Sequence, residues 1–185
     1  LARRSDFDQD GLSVRLGTLK RHWDRIGRRD PFWAALTHPD KRHCGWNLDL
    51  FFETGSEELA AVLAHARELG VEVARSRALD FGCGAGRVTQ ALAAEFDRVE
   101  GVDISAAMLA SARQQNRYAD RCTYHLNSAP HLALFEDASF NFVYSNLVFQ
   151  HMEARYARQY IAELLRVLAP GGLLVFQAPS HRLAK

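Results

Sequence analysis

Three glycines and two aspartates carry the clearest chemistry in this sequence. Gly82, Gly84 and Gly86 occupy alternate positions in the short segment that joins an apolar run to a helix-forming stretch, and Asp80 lies just before them. Glycines permit positive φ and a close approach of a ligand to the main chain, and a helix start offers free N–H groups. Asp103 ends a second apolar run, about twenty residues after the first glycine, where a carboxylate can accept hydrogen bonds from ribose. This spacing predicts a site for an adenosine-containing cofactor.

The spacing also narrows the class of cofactor. A dinucleotide fingerprint, G-x-G-x-x-G, requires a glycine at position 87, where this chain has Arg87. A nicotinamide-dependent oxidoreductase is therefore disfavoured, and a P-loop is excluded because no G-K-[S/T] follows the glycines. An acidic residue facing the loop, Asp80, suits a cofactor with an amino group and a sulfonium better than one with a pyrophosphate.

At these residues the chain resembles the class I S-adenosylmethionine-dependent methyltransferases. The resemblance spans roughly residues 55–180. Four segments match in the family's order: LDFGCGAGR (79–87), VDISAAML (102–109), FNFVYSNLVFQHM (140–152) and LLRVLAPGGLLVFQAP (164–179). It implies a doubly wound α/β fold with a mostly parallel sheet in the order 3-2-1-4-5. It also implies S-adenosylmethionine as cofactor and S-adenosylhomocysteine as product.

The resemblance places the cofactor against a defined set of residues. Ile104 is expected to pack on the adenine, and Met108 either approaches the same pocket or fills the core. The family often has an acidic residue at the end of strand 3 that faces the adenine amino group. This chain has LNSA there, so the resemblance assigns this contact to Ser128 and the backbone of Ala129. The predicted cofactor-binding residues are Asp80, Gly82, Cys83, Gly84, Gly86, Asp103, Ile104, Met108, Ser128, Ala129 and Asn146.

Methyl transfer is expected beside the segment that follows the fourth strand. Asn146 is placed to contact the cofactor and Gln150 to border the methyl acceptor. His151 is the candidate base, because imidazole titrates near neutral pH. The alternative role for His151 is structural, as a cap of the following helix or a partner of a loop carbonyl. A base is not strictly required, since a sulfonium is already activated and positioning of the acceptor supplies much of the rate.

Aromatic residues mark the N-terminal segment as a candidate lid. Asp30, Trp33 and Trp46 are the predicted lid residues that shape the substrate site; the alternative is that the aromatic rings bury this segment against the sheet. No metal is predicted, because His38, His43 and Cys44 match no usual zinc spacing.

Periodicity assigns the elements that must position these residues. Apolar residues from Leu12 to Ile26 recur at helical steps, with Gly27 as the expected stop, and Asp30-Pro31 predicts a short helix through Leu36. Residues 37–50 are expected to form a loop, and a capping box at 54–57 to open a helix through Leu69. Strands are predicted near 77–81, 98–102, 122–126, 140–145 and 172–178, and helices near 86–96, 105–118 and 153–168.

Composition bounds the remaining possibilities. The 185 residues carry a net charge of +1, which gives no electrostatic reason to expect binding to nucleic acid or to a membrane. Three scattered cysteines suggest no disulfide framework and favour a cytoplasmic protein. We expect a helical lid or substrate segment over 1–55 and a cofactor-binding α/β domain over 56–185.

The end of the sheet predicts a further partner. The family usually continues past strand 5 with a helix and antiparallel strands, so the domain is expected to be truncated after strand 5. That edge would then be covered by the N-terminal segment, by a second subunit in a homodimer, or by a larger parent polypeptide. The expected activity is methyl transfer to an oxygen or nitrogen of a small molecule. The alternative is a non-catalytic domain of the same fold that serves as a subunit or scaffold.

Overall fold

The fold is a five-stranded parallel sheet with helices on both faces. The computed structural model describes residues 16–179. The strand order β3-β2-β1-β4-β5 and the parallel pairing of every neighbour confirm the predicted topology. The strands are β1 (Arg77–Phe81), β2 (Arg98–Asp103), β3 (Cys122–Leu126), β4 (Phe140–Ser145) and β5 (Leu168–Phe176).

Helices precede the sheet and alternate with its strands. Two short 3-10 turns, Pro39–Lys41 and Phe149–His151, lie in the connections. None of the described helices has the length and apolar character needed to cross a membrane. The helices are α1 (Leu16–Arg29), α2 (Pro31–Ala35), α3 (Leu48–Glu68), α4 (Arg87–Glu95), α5 (Ala106–Gln114) and α6 (Ala154–Val167).

The core lies on both faces of the sheet because successive strand residues point in opposite directions. Ala78 packs with a cluster that contains Leu92 of α4 and Leu109 of α5. The next residue, Leu79, packs with a second cluster that contains Leu19 of α1 and Leu164 of α6. All four side chains named with these helices are buried, so the sheet is enclosed as a doubly wound fold requires.

The helix α3 begins earlier than its sequence predicts. Its N-cap is Asn47, whose side chain accepts a hydrogen bond from Leu50 N at 3.1 Å. The predicted loop through residue 50 and the predicted helix start at 54–57 are therefore wrong. Phe51 and Phe52 are buried beside Met108, and this burial extends the helix toward the N-terminus. The predicted division between residues 55 and 56 consequently falls inside a continuous helix.

Two buried glycines serve helix packing. Gly27 was expected to end α1, but the helix continues to Arg29, and a Cβ at Gly27 would lie 2.9 Å from Met108 Sδ of α5. Gly55 lies in α3, where a Cβ would lie 2.4 Å from the Arg87 carbonyl oxygen of α4. Small residues at these positions let α1 and α3 approach the helices that follow β2 and β1. Leu12, part of the predicted first helix, lies outside the described residues.

The last described strand is longer than predicted. β5 begins at Leu168 instead of near residue 172, and its pairing with β4 shifts register between Phe140 and Phe142. Within the described residues β5 pairs only with β4, so it forms one edge of the sheet.

Candidate active site

A cavity of about 350 Å³ opens at the carboxyl ends of the strands. The segments that follow β1, β2 and β4 form its floor, and α1 with residues 34–37 forms the opposite wall. Ten of the predicted site residues line it: Asp80, Gly82, Cys83, Gly84, Asp103, Ile104, Met108, Asn146, Gln150 and His151.

The glycine loop requires its glycines for two different reasons. Gly82, Gly84 and Gly86 have φ of 79°, 52° and 82°, which side chains rarely adopt. A Cβ at Gly82 would also lie 2.2 Å from Val148 Cγ2, so this loop packs directly against the segment after β4. Gly86 does not line the cavity; a Cβ there would lie 2.6 Å from the hydroxyl of Tyr124 on β3. Gly86 therefore supports the packing of the loop behind the cavity.

Asp103 connects the glycine loop to the end of β2. Its Oδ2 accepts a hydrogen bond from Gly84 N at 2.9 Å, and its Oδ1 accepts one from Ser105 N at 2.7 Å. Burial raises the pKa of Asp103, although these backbone donors oppose the shift. The cap of α5 is Ser105, whose hydroxyl accepts from Met108 N. Because each carboxylate oxygen has two acceptor positions, Asp103 retains capacity for ligand hydroxyls in the cavity.

Asp80 lies deeper in the same cavity. Its side chain is 4 % exposed, and its Oδ2 accepts a hydrogen bond from the Thr89 hydroxyl at 2.6 Å. Burial raises the pKa of Asp80 to about 7, with smaller opposing contributions from Thr89 and Arg87. A cationic ligand group beside Asp80 would lower this pKa and favour the carboxylate.

The segment after β4 carries Gln150 and His151, the two residues predicted to lie beside the methyl acceptor. Leu147 has a φ of 61°, which turns the chain so that Gln150 and His151 line the cavity. The ring of His151 packs edge-on against Trp23 of α1, with 5.1 Å between the ring centroids. Burial and the nearby His22 lower the pKa of His151, so its imidazole is neutral at neutral pH. Its only side-chain hydrogen-bond partner among the described residues is Gln150.

The end of β3 presents a different residue from those predicted. Asn127 lines the cavity, whereas Ser128 is exposed and Ala129 lies outside the lining. The Ala129 carbonyl accepts a hydrogen bond from the Tyr160 hydroxyl, and its N–H donates to Asn127 Oδ1 at 3.3 Å. Asn127 was missed because the family pattern directed attention to the two positions after it.

The predicted lid residues hold their segment together instead of lining the cavity. Asp30 accepts hydrogen bonds from Trp33 N at 3.2 Å and Cys44 N at 2.8 Å. The indole of Trp33 donates to the His38 carbonyl, and that of Trp46 donates to the Leu36 carbonyl. The cavity wall is formed by the residues that they brace: Ala34, Ala35, Leu36 and Thr37.

Asp24 is a site-supporting residue that sequence reasoning missed. It lies on the buried face of α1, and its Oδ1 accepts hydrogen bonds from the Ser105 hydroxyl at 2.8 Å and from Ala107 N at 3.3 Å. Its Oδ2 pairs with Lys20 at 2.7 Å. Although burial opposes ionisation, these donors hold the pKa of Asp24 at about 2. The available signal was a carboxylate on the apolar side of an amphipathic helix.

The described residues fit an adenosine cofactor. A loop whose three glycines have positive φ faces a carboxylate at the end of β2, and Ile104 and Met108 add apolar surface. Within residues 16–179 no group of three metal-ligating side chains comes together.

The Methyltransferase domain family matches residues 79–176. Trans-aconitate 2-methyltransferase of Variovorax paradoxus is 36 % identical over 109 residues, covering 58 % of this chain and 40 % of that protein. Malonyl-[acyl-carrier protein] O-methyltransferase of Enterobacter lignolyticus is 34 % identical over 101 residues, covering 55 % and 38 % respectively. The matched part therefore spans less than half the length of these curated relatives.

The fold also recurs in solved structures. Phosphoethanolamine N-methyltransferase 1 of Haemonchus contortus, in complex with phosphoethanolamine and S-adenosylhomocysteine, superposes with a TM-score of 0.70. The superposed part covers 88 % of this chain and 32 % of that protein, at 18 % sequence identity, so this likeness concerns the fold alone. Together with the family match over residues 79–176, these findings show that the chain belongs to the class I S-adenosylmethionine-dependent methyltransferases.

Proposed function

We propose that the cavity binds S-adenosylmethionine and that the domain transfers its methyl group to an oxygen or nitrogen of a small molecule. The observation that carries this proposal is the meeting of Asp103, Asp80 and the glycine loop in one cavity of a methyltransferase-family domain. When bound, this cofactor supplies a methyl group on a positively charged sulfur.

Each wall of the cavity has a role in binding. Asp103 accepts hydrogen bonds from ribose hydroxyls, while the backbone of Gly82 and Gly84 permits close contact. Ile104 and Met108 supply apolar surface for the adenine ring. Asp80 attracts the cationic part of the cofactor, because its desolvated carboxyl gains most from an opposite charge.

The acceptor side is assigned to the segment after β4 and to the wall opposite it. Gln150 offers a polar contact, and His151 offers a neutral ring nitrogen that can receive the proton of an acceptor hydroxyl or amine. Residues 34–37, braced by Asp30, Trp33 and Trp46, close the other side, which supports a lid role for the N-terminal segment. The relatives named above are a trans-aconitate 2-methyltransferase and a malonyl-[acyl-carrier protein] O-methyltransferase, so trans-aconitate is a suitable first acceptor to test.

The cofactor assignment is tested by isothermal titration with S-adenosylhomocysteine. We expect saturable one-to-one binding and a rise in Tm with ligand concentration. The absence of binding at millimolar ligand would refute the proposal.

The role of His151 is tested by the variant His151→Ala at saturating cofactor. We expect slower turnover and loss of the rise in rate across the titration of the imidazole, measured as a pH–rate profile. An unchanged rate at every pH would leave His151 without a base role and assign the rate to positioning alone.

A further inference from the structure

Glu58 joins three cavity residues that come from two distant parts of the chain, the start of α4 and the end of β4. It lies in α3, with 24 % of its side chain exposed, and is not itself part of the cavity lining. Its Oε2 accepts a hydrogen bond from Arg87 Nη2 at 2.6 Å. Its Oε1 accepts hydrogen bonds from Asn146 Nδ2 at 2.9 Å and from the Tyr144 hydroxyl. Through these contacts α3 is hydrogen-bonded to three side chains that line the cavity.

The charge of Glu58 fixes how Asn146 is oriented. Burial alone would raise the pKa of Glu58, but the hydrogen bonds from Tyr144 and Arg87 and the charge of Arg87 outweigh it and lower the pKa. An ionised carboxylate can only accept hydrogen bonds. The Asn146 amide must therefore turn its nitrogen toward Glu58, because the flipped amide would set oxygen against oxygen. Among the described residues no group donates to Asn146 Oδ1, which is left as an acceptor at the cavity.

Arg87 is held beside this acceptor. It donates to Glu58 through Nη2 and to the Thr54 hydroxyl through Nη1 at 3.4 Å, which leaves N–H donors of its guanidinium for a ligand. Asp80 is adjacent, because it is the register partner of Tyr144 in the β1–β4 pair. This end of the cavity therefore offers acceptors beside a cationic donor. An α-amino-acid group, with an ammonium and a carboxylate, has the matching chemistry.

We propose that Glu58 is a positioning residue that holds Asn146 and Arg87 in place to receive the α-amino-acid group of the cofactor. The inference rests on the proposed function, since it assigns one end of the same cavity. Glu58 does not touch the ligand: it acts by orienting one acceptor and one donor that do. Adenosine recognition at Asp103 is independent of it.

The test compares two ligands that differ in the amino-acid group. S-adenosylhomocysteine carries this group, whereas 5′-methylthioadenosine keeps the adenosine and the thioether and lacks it. In Glu58→Gln one of the two acceptor oxygens becomes an NH2 donor, which then faces either Arg87 or Asn146, so one of these two side chains loses its partner and its orientation. We expect the affinity for S-adenosylhomocysteine to fall roughly tenfold and that for 5′-methylthioadenosine to stay within about twofold, both measured by titration calorimetry.

Glu57→Gln is the matched control, because Glu57 is exposed on the same helix and should bind both ligands as the native protein does. Asn146→Ala provides a second route that leaves Glu58 intact and should reproduce the selective loss. Equal losses for the two ligands, or no loss for either, would overturn the assignment of Glu58. Failure of the native protein to bind either ligand would instead refute the cofactor site itself, and the inference with it.

Discussion

In the proposed site, Asp103 is the residue that would bind the adenosine end of the cofactor. It holds the Gly84 N–H and faces the cavity, so its removal affects both the loop and the ligand. We predict that Asp103→Ala binds S-adenosylhomocysteine at least tenfold more weakly, a loss of about 1.4 kcal/mol or more. Asp97→Ala, an exposed aspartate just before β2, is the control in the same titration. Native affinity in Asp103→Ala would remove this residue from the site.

Asp80 should make ligand binding depend on pH near neutrality. Its pKa of about 7 means that the folded, ligand-free protein gains the carboxylate only as the pH rises through that value. We predict that the affinity for S-adenosylhomocysteine, whose ammonium favours a carboxylate, increases from pH 6 to pH 8. Asp80→Asn should bind more weakly with a flat profile, measured by titrations across this range. A native profile that is flat would contradict the assignment.

The Asp80 carboxyl affects folding stability in the direction opposite to ligand affinity: stability falls as the pH rises. Because the folded pKa of Asp80 exceeds its unfolded value, the folded state binds more protons, and the contribution of Asp80 to the unfolding free energy falls as the pH rises from about 4 to 7. Asp80→Asn should therefore gain Tm relative to the native protein more at pH 8 than at pH 5. Thermal unfolding at the two pH values measures this difference and needs no ligand.

At the scale of elements, the glycine loop and the segment after β4 form one packed unit. The change Gly82→Ala imposes both left-handed strain and a clash with Val148. Gly70→Ala is a matched control, since Gly70 has a φ of 73° but nothing within 4 Å of a Cβ. We predict that both variants lose stability, by roughly 1–2 kcal/mol for the strain alone, and that only Gly82→Ala loses S-adenosylhomocysteine binding.

A double variant separates the two causes. Val148→Ala removes the atoms that a Cβ at residue 82 would meet, so Gly82→Ala/Val148→Ala should recover part of the affinity lost by Gly82→Ala. Urea unfolding and ligand titration measure the two effects separately. If the double variant binds no better than the single one, strain rather than contact explains the loss.

The sequence predicts these elements well where the information is local. The strands β1 to β4, the glycine loop and Asp103 lie within short motifs whose spacing reflects a strand, a turn and a helix. The start of α3 and the role of Gly27 were wrong because both depend on burial against Met108, more than fifty positions away in the sequence. Glu58 and Asp24 were missed for the same reason: their partners Asn146 and Ser105 follow 88 and 81 positions later.

At the scale of the whole molecule, Asp24 ties the N-terminal wall to the cofactor-binding half. Its contacts with Ser105 and Ala107 join α1 to the first turn of α5, directly after Asp103. Because its folded pKa of about 2 lies below the unfolded value, Asp24 contributes stability above about pH 4 that is lost as the pH falls toward 2. The wall and the cofactor site are therefore expected to unfold together near neutral pH.

We predict that Asp24→Asn lowers the unfolding free energy at pH 7 by roughly 2 kcal/mol, and that the difference from the native protein shrinks as the pH falls from 4 to 3. Asp49→Asn removes an exposed partner of Arg117 and should change stability little at any pH. Urea unfolding from pH 3 to pH 7 makes the comparison. A pH-independent difference would show that Asp24 acts through packing instead of charge.

The contact between Trp23 and His151 has a practical consequence. Trp23 lines the cavity, whereas Trp33 and Trp46, which complete the chain's three tryptophans, fasten the wall from outside it. The protein thus contains one indole whose surroundings change when the cavity fills and two that serve as an internal reference. With Trp33 and Trp46 retained as a constant background, a change of intrinsic fluorescence on adding ligand would report occupancy of the site through Trp23, without a label and before any methyl acceptor is identified.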